Sequence, residues 1–224
     1  MSRKYINFSE YPRKEHFEHF MSMENPFANI TVNVDISDWF IWLKKKGFPF
    51  FLTFQYAVVQ AANRVPELRR RYIDGQIAEY DFCDPSFIAP AEDGTYRYCL
   101  VHADQPLEAY LAEGKRKMEE ALKSEKLEEE GDVQSLLFIT CLPWVSFSSI
   151  VMPYSDRTFT NPSIGWGKYV RDRRLVLEEG KIAEKETVTV PVSLMVNHAL
   201  ADGIHIAAFF RNLEEELEKM AESE

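Results

Sequence analysis

The sequence predicts an α+β protein in which helices pack on one face of a mixed sheet. Segments with the two-residue period of strands mingle with segments of helical period, without the strict strand–helix–strand order of a parallel α/β sheet. The longest strand pattern comes late, over Val188–Val196, where Val188, Val190, Val192, Leu194 and Val196 fill every even position. An amphipathic helix pattern, Ile204 to Met220, follows directly with Ile206, Phe209, Phe210, Leu213 and Leu217 on one face. A chain of 224 residues can bury one substantial core, so a single domain over 1–224 is expected.

Taken in order, a helix near the N-terminus carries His16 and His19. Ile30-Thr31-Val32-Asn33-Val34 alternates as a strand. Ser37 reads as the N-cap of a short helix through Trp39, Trp42 and Leu43, stopped by Gly47 and Pro49. Phe51 to Asn63 is apolar around most of its circumference, which predicts a buried helix with Pro66 beyond its end. Strands are expected at about Gln76–Asp81, Tyr96–Val101, Leu136–Leu142, Val145–Met152 and Arg174–Glu178. Between them, Lys115 to Gly131 reads as a solvated helix with a thin apolar stripe followed by a surface loop. Pro191 donates no backbone hydrogen bond, so that end of the long strand should be an edge or a bulge.

Charge and cysteine content narrow the function. The net charge of -10 repels polyanions and argues against a nucleic-acid groove, while leaving room for a local cation to hold a small anionic ligand. Cys83, Cys99 and Cys141 include no Cys-x-x-Cys pair and read as reduced thiols of a cytoplasmic protein. The N-terminus leads into no apolar stretch, so no signal peptide is expected, and no apolar run is long enough to span a bilayer. No metal-ligand spacing stands out.

His198 carries the chemistry. It continues the even parity of the last strand, so it should inherit the buried face, where desolvation disfavours the imidazolium and leaves a ring able to accept a proton. Asp202 and Gly203 come next, where they could simply cap and turn into the helix. On pattern alone, a histidine at a strand end is more often structural.

His-x-x-x-Asp-Gly at the end of a long strand, before the C-terminal helix, resembles the chloramphenicol acetyltransferase family and, more widely, CoA-dependent acyltransferases. Three further segments match the first family in its order: Arg13-Lys14-Glu15-His16-Phe17-Glu18, Leu142-Pro143-Trp144-Val145-Ser146-Phe147, and Gly167-Lys168-Tyr169. The resemblance covers nearly the whole chain. It implies a two-layer sandwich that forms homotrimers with active sites between subunits. It also implies direct acetyl transfer from acetyl-CoA to a hydroxyl of a small acceptor, chloramphenicol among them, without an acyl-enzyme. His198 would then be the general base, with Asp202 pairing to Arg13 to hold the catalytic loop. Thr140, at the position of a family serine, would donate to the oxyanion. Trp144 would line the pantetheine tunnel, and Lys168 with Tyr169 would lie near the nucleotide end of CoA. The acceptor pocket would involve Phe20, His19, Glu24 and Tyr96.

The chain departs from the family at several of these places. Asn197 replaces the first histidine of a His-His pair but keeps hydrogen-bonding capacity in support of the loop. Met195 stands for a glutamine and Gly165 for a threonine ahead of the Lys-Tyr pair. Glu24 aligns with a pocket leucine, and an acidic group is costly beside a neutral aromatic ligand unless it faces water. Two other readings stay open: a family member of impaired catalysis that binds CoA or another ligand, and an acyltransferase for a thiol or amine.

Overall fold

The computed structural model describes residues 2–124, 127, 131–178 and 181–223, without the side chains of Val176 and Glu178. The strands are β1 (Arg3–Ile6), β2 (Phe27–Asp35), β3 (Arg70–Ile73), β4 (Gln76–Tyr80), β5 (Asp84–Pro90), β6 (Tyr96–Leu100), β7 (Leu136–Leu142), β8 (Ser163–Gly167), β9 (Val170–Glu178) and β10 (Lys181–Asn197). The helices are α1 (Lys14–Met21), α2 (Ser37–Lys46), α3 (Phe50–Asn63), α4 (Leu107–Ala121) and α5 (Gly203–Ala221). Among the described residues they form a seven-stranded sheet in the order β2-β10-β8-β7-β5-β6, with β9 paired to β10, and a small sheet β1-β4-β3. The β5–β7 and β7–β8 pairings are parallel and the others antiparallel, so the large sheet is mixed, as the sequence predicts.

Helices α2, α3 and α5 pack together against one face of this sheet. Val188, Val190, Val192, Leu194 and Val196 of β10 join their core, as the alternation requires. Helix α3 runs through the middle of it, with Leu52 to Val59 nearly all buried, matching its uniformly apolar sequence. Gly47 ends α2 at φ +68°, a left-handed turn that glycine adopts without strain. The expected N-cap is shifted by one: Ser37 is the first helical residue, and its hydroxyl accepts from Val188 N–H at 2.9 Å and donates to Asp35.

Two strand expectations are corrected, and one about Pro191 is sharpened. Val145–Met152 is irregular rather than a strand, because its backbone is used elsewhere. Val145 O accepts from Lys168 N at 2.8 Å and Ile150 O from the Asn29 amide at 2.7 Å. Pro191 is not at an edge, since β10 is flanked on both sides, but it does sit at a bulge: residues 190–191 of β10 lie opposite the three residues 167–169, and the register slips by one. Val188 points its N–H and C=O towards the β2 side, so by alternation Pro191 faces the other side. There the partner changes from β9, last paired at Thr189, to β8, first paired at Val192, and the missing donor falls in the gap. The strand expected at Arg174–Glu178 begins earlier, at Val170, and β1, β3, β5 and β8 were not anticipated. Helix α4 extends further towards the N-terminus than the solvated-helix pattern, and residues 125–126 and 128–130 of the expected loop lie outside the described residues.

The opposite face of β10 is also buried. Ser193, Met195 and Asn197 lie beneath the segment from 143 to 162. A second apolar cluster of Tyr11, Phe17, Ile77, Ala199 and Leu200 joins α1, the small sheet and the turn that follows β10. The end of β10 therefore enters a junction between two cores.

Candidate active site

β10 ends at Asn197, and the chain turns through residues 198–202 before α5 begins. Each backbone N–H across this turn has a partner. His198 N–H donates to Pro26 O at 2.7 Å, and Ala199 N–H to Asn197 Oδ1 at 3.1 Å. Leu200 and Ala201 N–H both reach Asn197 O, at 3.0 and 3.1 Å, and Asp202 N–H reaches His205 Nδ1 at 3.0 Å. A loop bonded at every donor has little freedom to wander.

The strand ends one residue before His198, so the imidazole does not enter the helical core as strand parity suggests. It is half-buried and stacks on Phe20 of α1, with centroids 3.9 Å apart and planes inclined by 21°. Nδ1 is buried without a partner among the described residues. His19 is exposed and meets Phe20 edge-on at 5.1 Å, and Glu24 is exposed, so its carboxylate faces water.

Arg13 and Asp202 form the expected ion pair, with side-chain exposures of 18% and 27%. Burial pushes the Asp202 carboxyl upward, but the Arg13 hydrogen bond and charge outweigh it and leave the group below its usual 3.8. Arg13 Nε and Nη2 are buried without partners among the described residues, so this carboxylate is the group the guanidinium depends on. Asp202 also caps α5 through Ile204 N–H at 3.2 Å. His205 completes the cap, and its Nε2 lies 3.7 Å from Glu67. The signal available in the sequence was Asp-x-x-His before an apolar helix, a capping-box spacing with histidine in place of Glu or Gln.

Thr140 lies on β7, in register with Gly165 of β8, which in turn faces Ser193 of β10. His198 is five positions past Ser193. At ~3.3 Å per residue along β10 and two strand spacings of ~4.8 Å across the sheet, Thr140 and His198 of one chain stand roughly 19 Å apart. Tyr96 is farther still, on the outer strand β6, 39% exposed. Thr140 and Tyr96 are thus not brought to His198 within one chain, whereas Arg13, Asp202, Asn197, Phe20 and His19 are.

Trp144 follows β7 in a turn and is 78% exposed. The turn is held by Lys168 N–H on Val145 O, and it can approach because residue 167 is glycine: a Cβ there would sit 2.7 Å from that oxygen. Lys168 is exposed beside it. Tyr169 points the other way, its ring 5.0 Å from Phe40 and 5.4 Å from Phe50 in the helical core. An exposed aromatic, the exposed Val145 and Val151, and a solvent-facing cation suit a long thiol arm ending in phosphates. Burial pushes the Cys141 thiol up to about 12, so it stays protonated and is a poor nucleophile. Among the described residues no group of three or more His, Cys, Asp or Glu could hold a metal, and no helix is long and apolar enough to cross a membrane.

A sequence profile described as chloramphenicol acetyltransferase matches residues 1–214. The chain belongs to the chloramphenicol acetyltransferase family. It is an acyltransferase of that family, whose members use acetyl-CoA as co-substrate. It is similar to a chloramphenicol acetyltransferase of Proteus mirabilis, at 24% identity over 94% of this chain and 92% of that one. A solved chloramphenicol acetyltransferase superposes with a TM-score of 0.77 at 25% identity, covering 96% of this chain and 100% of the other. A probable dihydrolipoamide acetyltransferase from Listeria monocytogenes shares the fold, with a TM-score of 0.65 at 19% identity over 97% of this chain and 94% of that one.

Proposed function

We propose that this protein transfers the acetyl group of acetyl-CoA to a hydroxyl of chloramphenicol, with His198 as general base in a site formed between subunits of a homotrimer. The observation that carries the reading is the turn 198–202, bonded at every N–H and locked by Arg13 on Asp202, which presents one imidazole against Phe20. His198 Nδ1 is buried, which leaves Nε2 for the substrate. That nitrogen takes the proton of the acceptor hydroxyl as its oxygen attacks the thioester carbon. The Thr140 hydroxyl donates to the resulting oxyanion. When the C–S bond breaks, the CoA thiolate receives the proton from the imidazolium, releasing free thiol and acetyl ester. The cysteines take no part.

The wide separation of His198 and Thr140 within one chain supports a site completed by a neighbour. Trp144, Lys168 and Tyr169 are assigned to CoA, with Tyr169 holding its place through the aromatic core. Phe20, His19, Glu24 and the neighbour's copy of Tyr96 are assigned to the acceptor side, Glu24 at its wet rim. A cytoplasmic setting suits a free supply of acetyl-CoA and three cysteines that form no disulfide.

The test is thiol release from acetyl-CoA with chloramphenicol and a panel of hydroxylated acceptors. Turnover is expected in the wild type and a loss of roughly 10²–10⁴-fold in His198→Ala. Absence of release with every acceptor would sink the proposal.

A further inference from the structure

The side chain of Asn197 is 2% exposed, which makes it one of the most deeply buried polar groups near the base. Its amide bonds in two directions. Oδ1 accepts from Ala199 N–H at 3.1 Å, inside the turn that carries His198. Nδ2 donates to Arg157 O at 3.0 Å and to Phe159 O at 3.1 Å, both in the irregular segment that covers this face of the sheet. Two carbonyls need donors and one N–H needs an acceptor, so the orientation of the amide is dictated by its partners. Only a primary amide supplies both donors and the acceptor from one planar group of this size. A neutral imidazole offers one donor and one acceptor, a carboxylate offers acceptors alone.

The segment held by this amide is anchored elsewhere. Phe159 stacks on Phe138 of β7 at 5.7 Å, Thr160 accepts from Tyr72 N–H of the small sheet at 3.0 Å, and Asn161 donates to Val133 O and Leu136 O at 2.9 and 2.8 Å. Asn197 is thus the point at which the turn carrying the base is tied to a segment fixed on both sheets. With its backbone oxygen also accepting from Leu200 and Ala201, one residue accepts three of the five N–H hydrogen bonds of the turn.

We infer that Asn197 is a positioning residue for acetyl transfer: its amide sets where the His198 imidazole sits by clamping the turn 198–202 to residues 157–159. The inference rests on the proposed role of His198 as base. The side chain touches no substrate, and its effect reaches the reaction through the placement of the ring. A proton acceptor displaced by about an ångström costs on the order of 100-fold in rate.

The experiment uses the purified full chain in three variants, Asn197→Ala, Asn197→Asp and Asn197→His, with two readouts. Steady-state thiol release gives kcat and KM for acetyl-CoA and for chloramphenicol, expressed per folded molecule from a thermal melt. Asn197→Ala and Asn197→Asp should lose roughly 10- to 100-fold in kcat with both KM values within about twofold, because binding surfaces are untouched. Asn197→His, keeping one donor and one acceptor, should recover part of that loss. The second readout is the ring ¹H–¹⁵N spectrum of the histidines, assigned with His198→Ala. The His198 signal should shift or broaden in Asn197→Ala while exposed His16 stays in place. Equal kcat per folded molecule in all variants, or an unmoved His198 signal, would overturn the inference. If the wild type releases no thiol, the function reading fails, and the ring spectrum still decides whether Asn197 positions His198.

Discussion

The Asp202 carboxylate accepts from Arg13 with one oxygen and from Ile204 N–H with the other, so one side chain ties α1 to the start of α5. Its carboxyl titrates below its usual 3.8, with the burial cost overcome by Arg13. A depressed folded value means that ionised Asp202 stabilises the protein above the unfolded value, and that this contribution disappears as pH falls through the folded one. Asp202→Asn should therefore cost about 1–3 kcal/mol at pH 7, with the Arg13 guanidinium left unpaired. The deficit should shrink below about pH 4. Urea melts of both proteins from pH 7 to 3 measure it, and a deficit constant across that range would contradict the assignment. Both ends of this pair were legible in the sequence because each sits in a matching motif. The partners of Asn197 were not, since Arg157 and Phe159 contribute carbonyls from a segment without regular pattern, and no side-chain code announces a backbone acceptor.

Among the elements, alternation on one buried face made β10, α3 and α5 readable. Val145–Met152 misled for a physical reason: it is apolar because it covers a sheet face and exposes Val145 and Val151, and neither use leaves a strand ladder. β8 was invisible because Gly165 and Gly167 dilute its propensity, and both glycines prove to be packing sites. A Cβ at Gly165 would stand 2.9 Å from Thr140 Cγ2 on β7. Residues 140 and 165 are thus linked, since the threonine methyl occupies room that a larger residue 165 would need. Gly165→Ala should cost roughly 1–3 kcal/mol beside Thr140, and far less in a Thr140→Ser background. A double-mutant cycle on thermal stability should give a coupling of about 1 kcal/mol or more. Additive costs would show that the β7–β8 contact relaxes freely.

At the scale of the whole molecule, the roles proposed for Thr140 and Tyr96 would leave a site within one chain incomplete, because both stand far from His198. Trp144, Val151 and Tyr154 stand open on the face opposite the helices, and a neighbouring subunit there would cover apolar surface and supply the missing donor. Complementation tests this directly. His198→Ala and Thr140→Ala chains, each inactive or nearly so, are unfolded together and refolded as mixed oligomers. If each site takes its base from one chain and its oxyanion donor from the next, about a quarter of the sites regain both groups. Activity that stays at the level of the separate variants would place both groups in one chain.

β10 lives in two environments along its length. From Lys181 to Thr189 it pairs with β9 alone on that side, in a hairpin whose Leu175, Leu177 and Ile182 are each 75% exposed; from Val192 to Met195 it is enclosed between β2 and β8. Amide protons along this one strand should therefore exchange with solvent deuterium at widely different rates, quickly before Thr187 and slowly from Val192 onward. The histidine follows the slow end. Opening of the outer part of the β9–β10 ladder would then leave the turn 198–202 undisturbed, with the boundary close to Pro191, the residue that has no amide proton to exchange.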